Sequence, residues 1–150
     1  MSILTVITVP NPILKQKALP VTQFDASLEK LLSDMLETMR VENGVGLAAN
    51  QVGILQRIFV AEYRRKTHFF MNPVIISSKG KAMGEEGCLS IPNIRLKVER
   101  ATTLTLQAQT PDGSPITLKL NNMMARIAQH EIDHLDGILI TDRSSTPVET

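Results

Sequence analysis

Aromatic residues, cysteine and histidine are all scarce in this chain, and each shortage narrows what it can be. Tryptophan is absent, and four phenylalanines and one tyrosine make up the whole aromatic complement. The core must therefore be built from aliphatic side chains and the seven methionines. A single cysteine, Cys88, excludes an internal disulfide framework and suits a reducing compartment, where its chemistry is that of a thiolate. No apolar run approaches the ~20 residues needed to cross a bilayer. The opening MSILTVITVPNPIL has neither a basic region with a cleavage site nor an Arg/Ser-rich amphipathic leader, so a cytoplasmic location is expected. A net charge of +1, with acids and bases interspersed, gives no footprint for specific nucleic-acid binding and no basic helix for a membrane surface.

What is present reads as one unit. The 150 residues, 43% of them hydrophobic, suffice for a single domain over 1–150 with a real core. Only 144–150, SSTPVET, is small and polar enough to be expected as a flexible tail. Asp25 is placed to cap a long amphipathic helix in which Leu28, Leu31, Leu32, Met35, Leu36 and Met39 form one apolar stripe before Gly44. Strand-like stretches follow in RIFVAEY, THFFMNPVII, LKVERATTLTLQAQ and ITLKL, the last two joined through the hairpin signal TPDGSP. Asn121 or Asn122 is placed to cap a second helix, MMARIAQHEIDHLD, which Gly137 ends before a short ILIT strand. Helix, several β-segments and helix in that order predict an α+β fold.

Two of the three histidines, His130 and His134, stand on this second helix at i and i+4. Both imidazoles leave one face and can reach one cation, with Glu131 at the edge of that face. Composition alone produces H-E-x-x-H in roughly 0.4% of such chains, so chance is a poor explanation. A hydrolytic metal usually takes three protein ligands and leaves one position for water. The metzincin pattern would put the third at Ile140, which cannot ligate, and the thermolysin-type pattern finds only Glu149 in the tail. Cys88, between glycine and turn-forming residues, or His68 remains, and Cys88 is the better candidate.

Three segments, GVGLAANQ at 44–51, EGCLS at 86–90 and QHEIDHLDG at 129–137, resemble in order and spacing the signature motifs of the peptide deformylase family. The resemblance extends to VPNPILKQKALPV, the first long helix and the NP of FFMNPVI. It implies a compact single domain of antiparallel strands packed around a central helix carrying HExxH. It implies Cys88, His130 and His134 as ligands of one divalent metal ion, Fe(II) natively, with Zn, Ni or Co able to occupy the same site. It further implies Glu131 as general acid/base, with the Gln51 amide and the Leu89 backbone N–H meeting the oxyanion. The implied reaction is removal of the N-formyl group from the formyl-methionine of nascent polypeptides, releasing formate. Implied partners are N-formylated nascent peptides and, transiently, the ribosome, although the chain shows no helix beyond ILIT of the kind many bacterial relatives carry.

These residue types suit that chemistry. A metal lowers the pKa of its water toward ~7, and a carboxylate beside it can take the water's proton and return it to the leaving nitrogen. Gly44 and Gly46 leave the backbone at Val45 open to an extended peptide, with Gly87 and Arg95 beside it. The resemblance implies an Arg100–Glu86 pair bracing the Cys88 loop. It also implies Met123, Arg126 and Ile127, before His130, as the lining of the pocket for the first side chain. Arg126 cannot bury its charge unpaired, so its stem is expected to form the wall while its head reaches solvent or an acid at the mouth. Gly84, where a larger apolar residue is frequent in the family, is a second departure.

Overall fold

A computed structural model describes residues 2–148. Its first helix, α1, spans Ala26–Val41 and starts where expected: the Asp25 carboxylate accepts from Ser27 N at 3.1 Å and Leu28 N at 3.3 Å. Such a cap contributes ~1 kcal/mol. The stripe buries Leu28, Leu32, Met35 and Met39, while Leu31 and Leu36 stay half-buried at its flanks. Seven strands follow: β1 Gly46–Ala48, β2 Ile58–Tyr63, β3 Lys66–Lys79, β4 Ala82–Cys88, β5 Ile91–Arg100, β6 Thr103–Gln109 and β7 Pro115–Asn121. The second helix, α2, spans Asn122–Leu135, with Asn121 as its N-cap.

The strands form a five-stranded antiparallel sheet in the order β1-β2-β3-β6-β7 and a separate antiparallel pair, β4-β5. Strand β2 is buried on both sides, its Ile58 and Val60 packing with α1 and its Phe59 and Ala61 with α2. This explains why RIFVAEY is a nearly continuous apolar run and not an alternating one. Against the α2 side lie Ala125, Ala128, Ile132 and Leu135, with Phe70, Leu104, Leu106 and Leu120 completing the cluster. The two alanines let helix and sheet approach closely. Almost every residue of α2 from Ala125 to Leu135 is buried, so the polar ones among them must find partners inside.

Gly137 ends α2 as expected, at φ 75°, with Gly137 N donating to His134 O at 3.0 Å and Ile138 N to Asp133 O at 2.8 Å. These are the paired bonds of a glycine-terminated helix. The ILIT segment is not a strand: Ile140–Arg143 forms one helical turn, α3, with Leu139 N donating to the Asp142 carboxylate at 2.8 Å. The local cap overrides the β preference of the isoleucines. The long LKVERATTLTLQAQ stretch divides into β5 and β6, and the TPDGSP turn joins β6 to β7 with Gly113 at φ 88°.

Residues 144–148, expected as a flexible tail, are hydrogen-bonded to β5. Lys97 N donates to Thr146 O at 2.9 Å, Val148 N donates to Arg95 O at 3.1 Å, and Ser144 Oγ donates to Lys97 O at 2.6 Å. Residues 149–150 of that tail lie outside the described residues. Among the described residues no helix is long and apolar enough to cross a membrane.

Candidate active site

Helix α2 carries His130 and His134 one turn apart into the interior, and the bend after β4 brings Cys88 to meet them. His134 Nε2 lies 3.3 Å from Cys88 Sγ and 3.3 Å from His130 Nε2, and one ligand atom from each residue falls within 4.8 Å of the others. His130 Nδ1 is 2.9 Å from Glu86 Oε1 and donates to it, which leaves the Nε2 lone pair facing the other two. Three soft or borderline electron-pair donors thus converge where no hydrogen between them could satisfy all, an arrangement that fits a divalent cation. His68, the alternative third ligand, lies elsewhere, stacked on Phe70 at 5.3 Å in β3.

The electrostatics point the same way. Burial opposes a proton on both imidazoles. At His134 it prevails, and the pKa falls well below the usual histidine range. At His130 burial is outweighed by Glu131, Cys88 and Glu86, which raise the pKa to about 10. The same negative charge that favours a proton on His130 would favour a cation in its place.

Behind the histidines stands a buried ionic network. Glu86 on β4 accepts two bonds from Arg100, Nε to Oε2 at 2.9 Å and Nη2 to Oε1 at 2.8 Å, the fork expected to brace the Cys88 loop. Arg100 also reaches Asp133 on α2 at 2.6 Å, and Asp133 is clasped by Arg143 from α3 at 2.7 Å. Burial works against the Glu86 charge, yet Arg100 and His130 overcome it and hold its pKa down to about 2. Neither Asp133 nor Arg143 carries a signal of this role in the sequence, although Asp133 is the central D of HEIDH.

Glu131 is buried, and burial, its largest influence, pushes its pKa up to about 7, with the charge of Glu86 adding to the rise against the pull of His130. Its Oε1 has no hydrogen-bond partner among the described residues. Gly46 makes the room it occupies: a Cβ there would lie 2.6 Å from Glu131 Oε2. Gln51 is fixed at both ends of its amide. Oε1 accepts from Ala48 N at 2.9 Å, while Nε2 donates to Ser90 Oγ at 3.1 Å and lies 3.8 Å from Cys88 Sγ. Ser90, fully buried and inconspicuous in the sequence, closes the EGCLS segment and sets this orientation.

A cavity of about 590 Å³ opens onto these groups. Gly44, Val45, Gly46, Gln51, Gly87, Cys88, Leu89, Arg95, Met123, Arg126, Ile127, His130 and Glu131 all line it, whereas His134, Gly84, Arg100 and His68, also singled out from sequence, do not. Tyr63, Glu85 and Ile94, which the sequence did not single out, join them. Arg126 departs from expectation in one respect. Its head reaches neither solvent nor an acid at the mouth but the buried Glu86, donating from Nη1 to Oε2 at 2.6 Å. The reason is a berth of carbonyls on β4 and β5 that completes its hydrogen bonding, with Val98 O at 2.9 Å and Ala82 O at 2.8 Å.

Residues 3–149 match the family model described as Polypeptide deformylase. The chain is 45% identical to the peptide deformylase of Dictyoglomus thermophilum, over 91% of this chain and 89% of that protein. The crystal structure of peptide deformylase from Thermotoga maritima superposes with a TM-score of 0.95 at 40% identity, covering 97% of this chain and 99% of that one. A class I type b peptide deformylase from Acinetobacter baumannii, solved with Met-Ala-Ser bound, gives a TM-score of 0.91 at 36% identity, covering 95% of this chain and 99% of that one.

Proposed function

The chain belongs to the polypeptide deformylase family, and from that premise we propose that it removes the N-formyl group from the formyl-methionine of nascent peptides, releasing formate. The observation that carries this reading is the meeting of Cys88, His130 and His134 beside a buried carboxylate, Glu131, whose Oε1 has no partner among the described residues. Cys88, His130 and His134 would hold one divalent ion, Fe(II) natively by family resemblance, with Zn, Ni or Co suited to the same donors. When bound, the ion supplies Lewis acidity, lowering the pKa of a water toward ~7 and drawing charge from a carbonyl oxygen.

The chain's own residues do the rest. Glu131, buried beside the ligands, takes a proton from water and returns it to the leaving amine nitrogen. The Gln51 Nε2–H, which reaches Ser90 Oγ and lies near Cys88, and by family resemblance the Leu89 N–H would donate to the oxygen on which charge develops, each such donor contributing ~3 kcal/mol. Strand β1 is an edge strand paired on one side by β2, which leaves it free to take an extended peptide as an added strand. The relative solved with Met-Ala-Ser supports a peptide as the occupant. Cytoplasmic location and a transient ribosome contact belong to the same proposal.

The test is an anaerobic assay of formate release from a formyl-Met peptide by the Fe(II)-loaded protein, with metal content measured in the same sample. Formate without cleavage of any internal peptide bond is expected. Internal cleavage, or stoichiometric metal with no formate, sinks the reading. Glu131→Gln should keep its metal and lose ~10²-fold or more in turnover.

A further inference from the structure

Met123, Arg126, Ile127 and His130 follow one another at i, i+3, i+4 and i+7 on α2, and all line the cavity. An arginine thus stands one turn from His130 on the face a substrate meets. Its guanidinium has two places to go, into the cavity or away from it, and it lies away. Nη1 donates to Glu86 Oε2 and Val98 O, Nη2 donates to Ala82 O, and only 13% of the side chain is exposed.

What makes this position available is Gly84 on β4. An ideal Cβ there would lie 2.7 Å from Arg126 Cζ and 2.9 Å from both Nε and Nη2. Gly84 does not have a positive φ, and it pairs in regular register with Val98 of β5. Its backbone would accept any residue, and a strand interior disfavours glycine. The space over it is therefore the reason for glycine, and the guanidinium fills that space.

We propose that Gly84 and Arg126 act as one specificity determinant: the glycine is a berth that keeps the guanidinium out of the cavity, so that the first side chain of the substrate meets only the Arg126 stem. The proposal rests on the deformylase reading in assigning that side chain to this wall. In Gly84→Ala the new methyl collides with the end of a flexible side chain, and the guanidinium moves before the backbone does. It then loses its carbonyl and carboxylate acceptors, and the open volume beside it is the cavity. A long first side chain loses room that a short one never used. In Arg126→Leu there is no guanidinium to displace, and Glu86 keeps both bonds from Arg100.

Four proteins decide the matter: wild type, Gly84→Ala, Arg126→Leu and the double variant. Each is assayed for kcat and KM with formyl-Met-Ala-Ser and formyl-Ala-Ala-Ser peptides, and its Tm is measured. Gly84→Ala beside Arg126 should lower the formyl-Met to formyl-Ala ratio of kcat/KM about tenfold, through KM, the scale on which a hydrophobic pocket senses small changes of shape. In the Arg126→Leu background the same substitution should change the ratio less than about twofold. An unchanged ratio beside Arg126, or an equal change in both backgrounds, overturns the proposal. Should wild type release formate from neither peptide, the deformylase reading fails, and the Tm values alone judge the berth. A Tm lowered by Gly84→Ala only beside Arg126 supports it, and equal lowering in both backgrounds refutes it.

Discussion

Where Cys88, His130 and His134 meet, a buried ionic network braces the site from behind; elsewhere on the cavity wall Val45, Ile94 and Met123 stand 49%, 41% and 42% exposed. The first region spends five charged side chains, Glu86, Arg100, Asp133, Arg126 and Arg143, on fixing one imidazole and one helix. Among the described residues the second contains one ion pair, Arg95–Glu85 at 3.5 Å, with both side chains more than half exposed. Buried charges are costly unless every partner is present, so the network behind the histidines tolerates one arrangement only. A wall of exposed apolar side chains beside an edge strand tolerates many, which suits a site that must accept differing peptide sequences through their main chain. Chemistry here is fixed by over-determination, and recognition is left adaptable.

The contrast can be broken hardest at the sulfur. Cys88→Ala should fold, since Cys88 is only half-buried at a strand end, but should lose stoichiometric metal and with it formate release; full metal retention would remove Cys88 from the ligand set. Next comes the network. Arg100→Leu leaves Glu86 and Asp133 buried with Arg126, His130 and Arg143 as their remaining partners, and denaturant unfolding should show a loss of ~3–5 kcal/mol. A loss under ~1 kcal/mol would mean that the rigid region is not rigid by virtue of its charges.

Acid sharpens the same point. The folded-state pKa of Glu86 is depressed to about 2 against an unfolded value of ~4.3, so its contribution is complete above pH ~4.3 and disappears as pH falls toward 2. Stability should fall by on the order of 3 kcal/mol over that window, and Glu86→Gln should flatten this part of the pH profile. The smallest effect belongs to the open wall. Arg95→Ala should cost under ~1 kcal/mol of stability, as exposed pairs do, and any change in rate should appear in KM with kcat kept.

Much of this architecture could be read from the residues alone, because periodic burial and side-chain chemistry announce themselves. The stripe from Leu28 to Met39 specifies α1, and His130 with His134 marks a candidate cation site whatever the surrounding fold. Strand β4 was illegible: AMGEEGC has no β-branched residue and two glycines, and it is a strand only because β5 pairs with it. Illegible with it was the destination of the Arg126 head, since two of its three acceptors are carbonyls that any sequence possesses. Ser90 is silent for a similar reason, a hydroxyl whose significance lies wholly in the Gln51 amide beside it. The ILIT turn misleads because its isoleucines favour a strand while the deciding interaction comes from Asp142 outside the quoted run.

The pairing of residues 144–148 with β5 bears on how the protein comes into being. Until those residues leave the ribosome, the hairpin that carries Glu86 and Cys88 presents an unpaired edge, and the helix bearing both histidines has only just emerged before them. The five-stranded sheet can form earlier, the centre that would do chemistry only after it. A chain made as far as that sheet therefore has a scaffold without an activity.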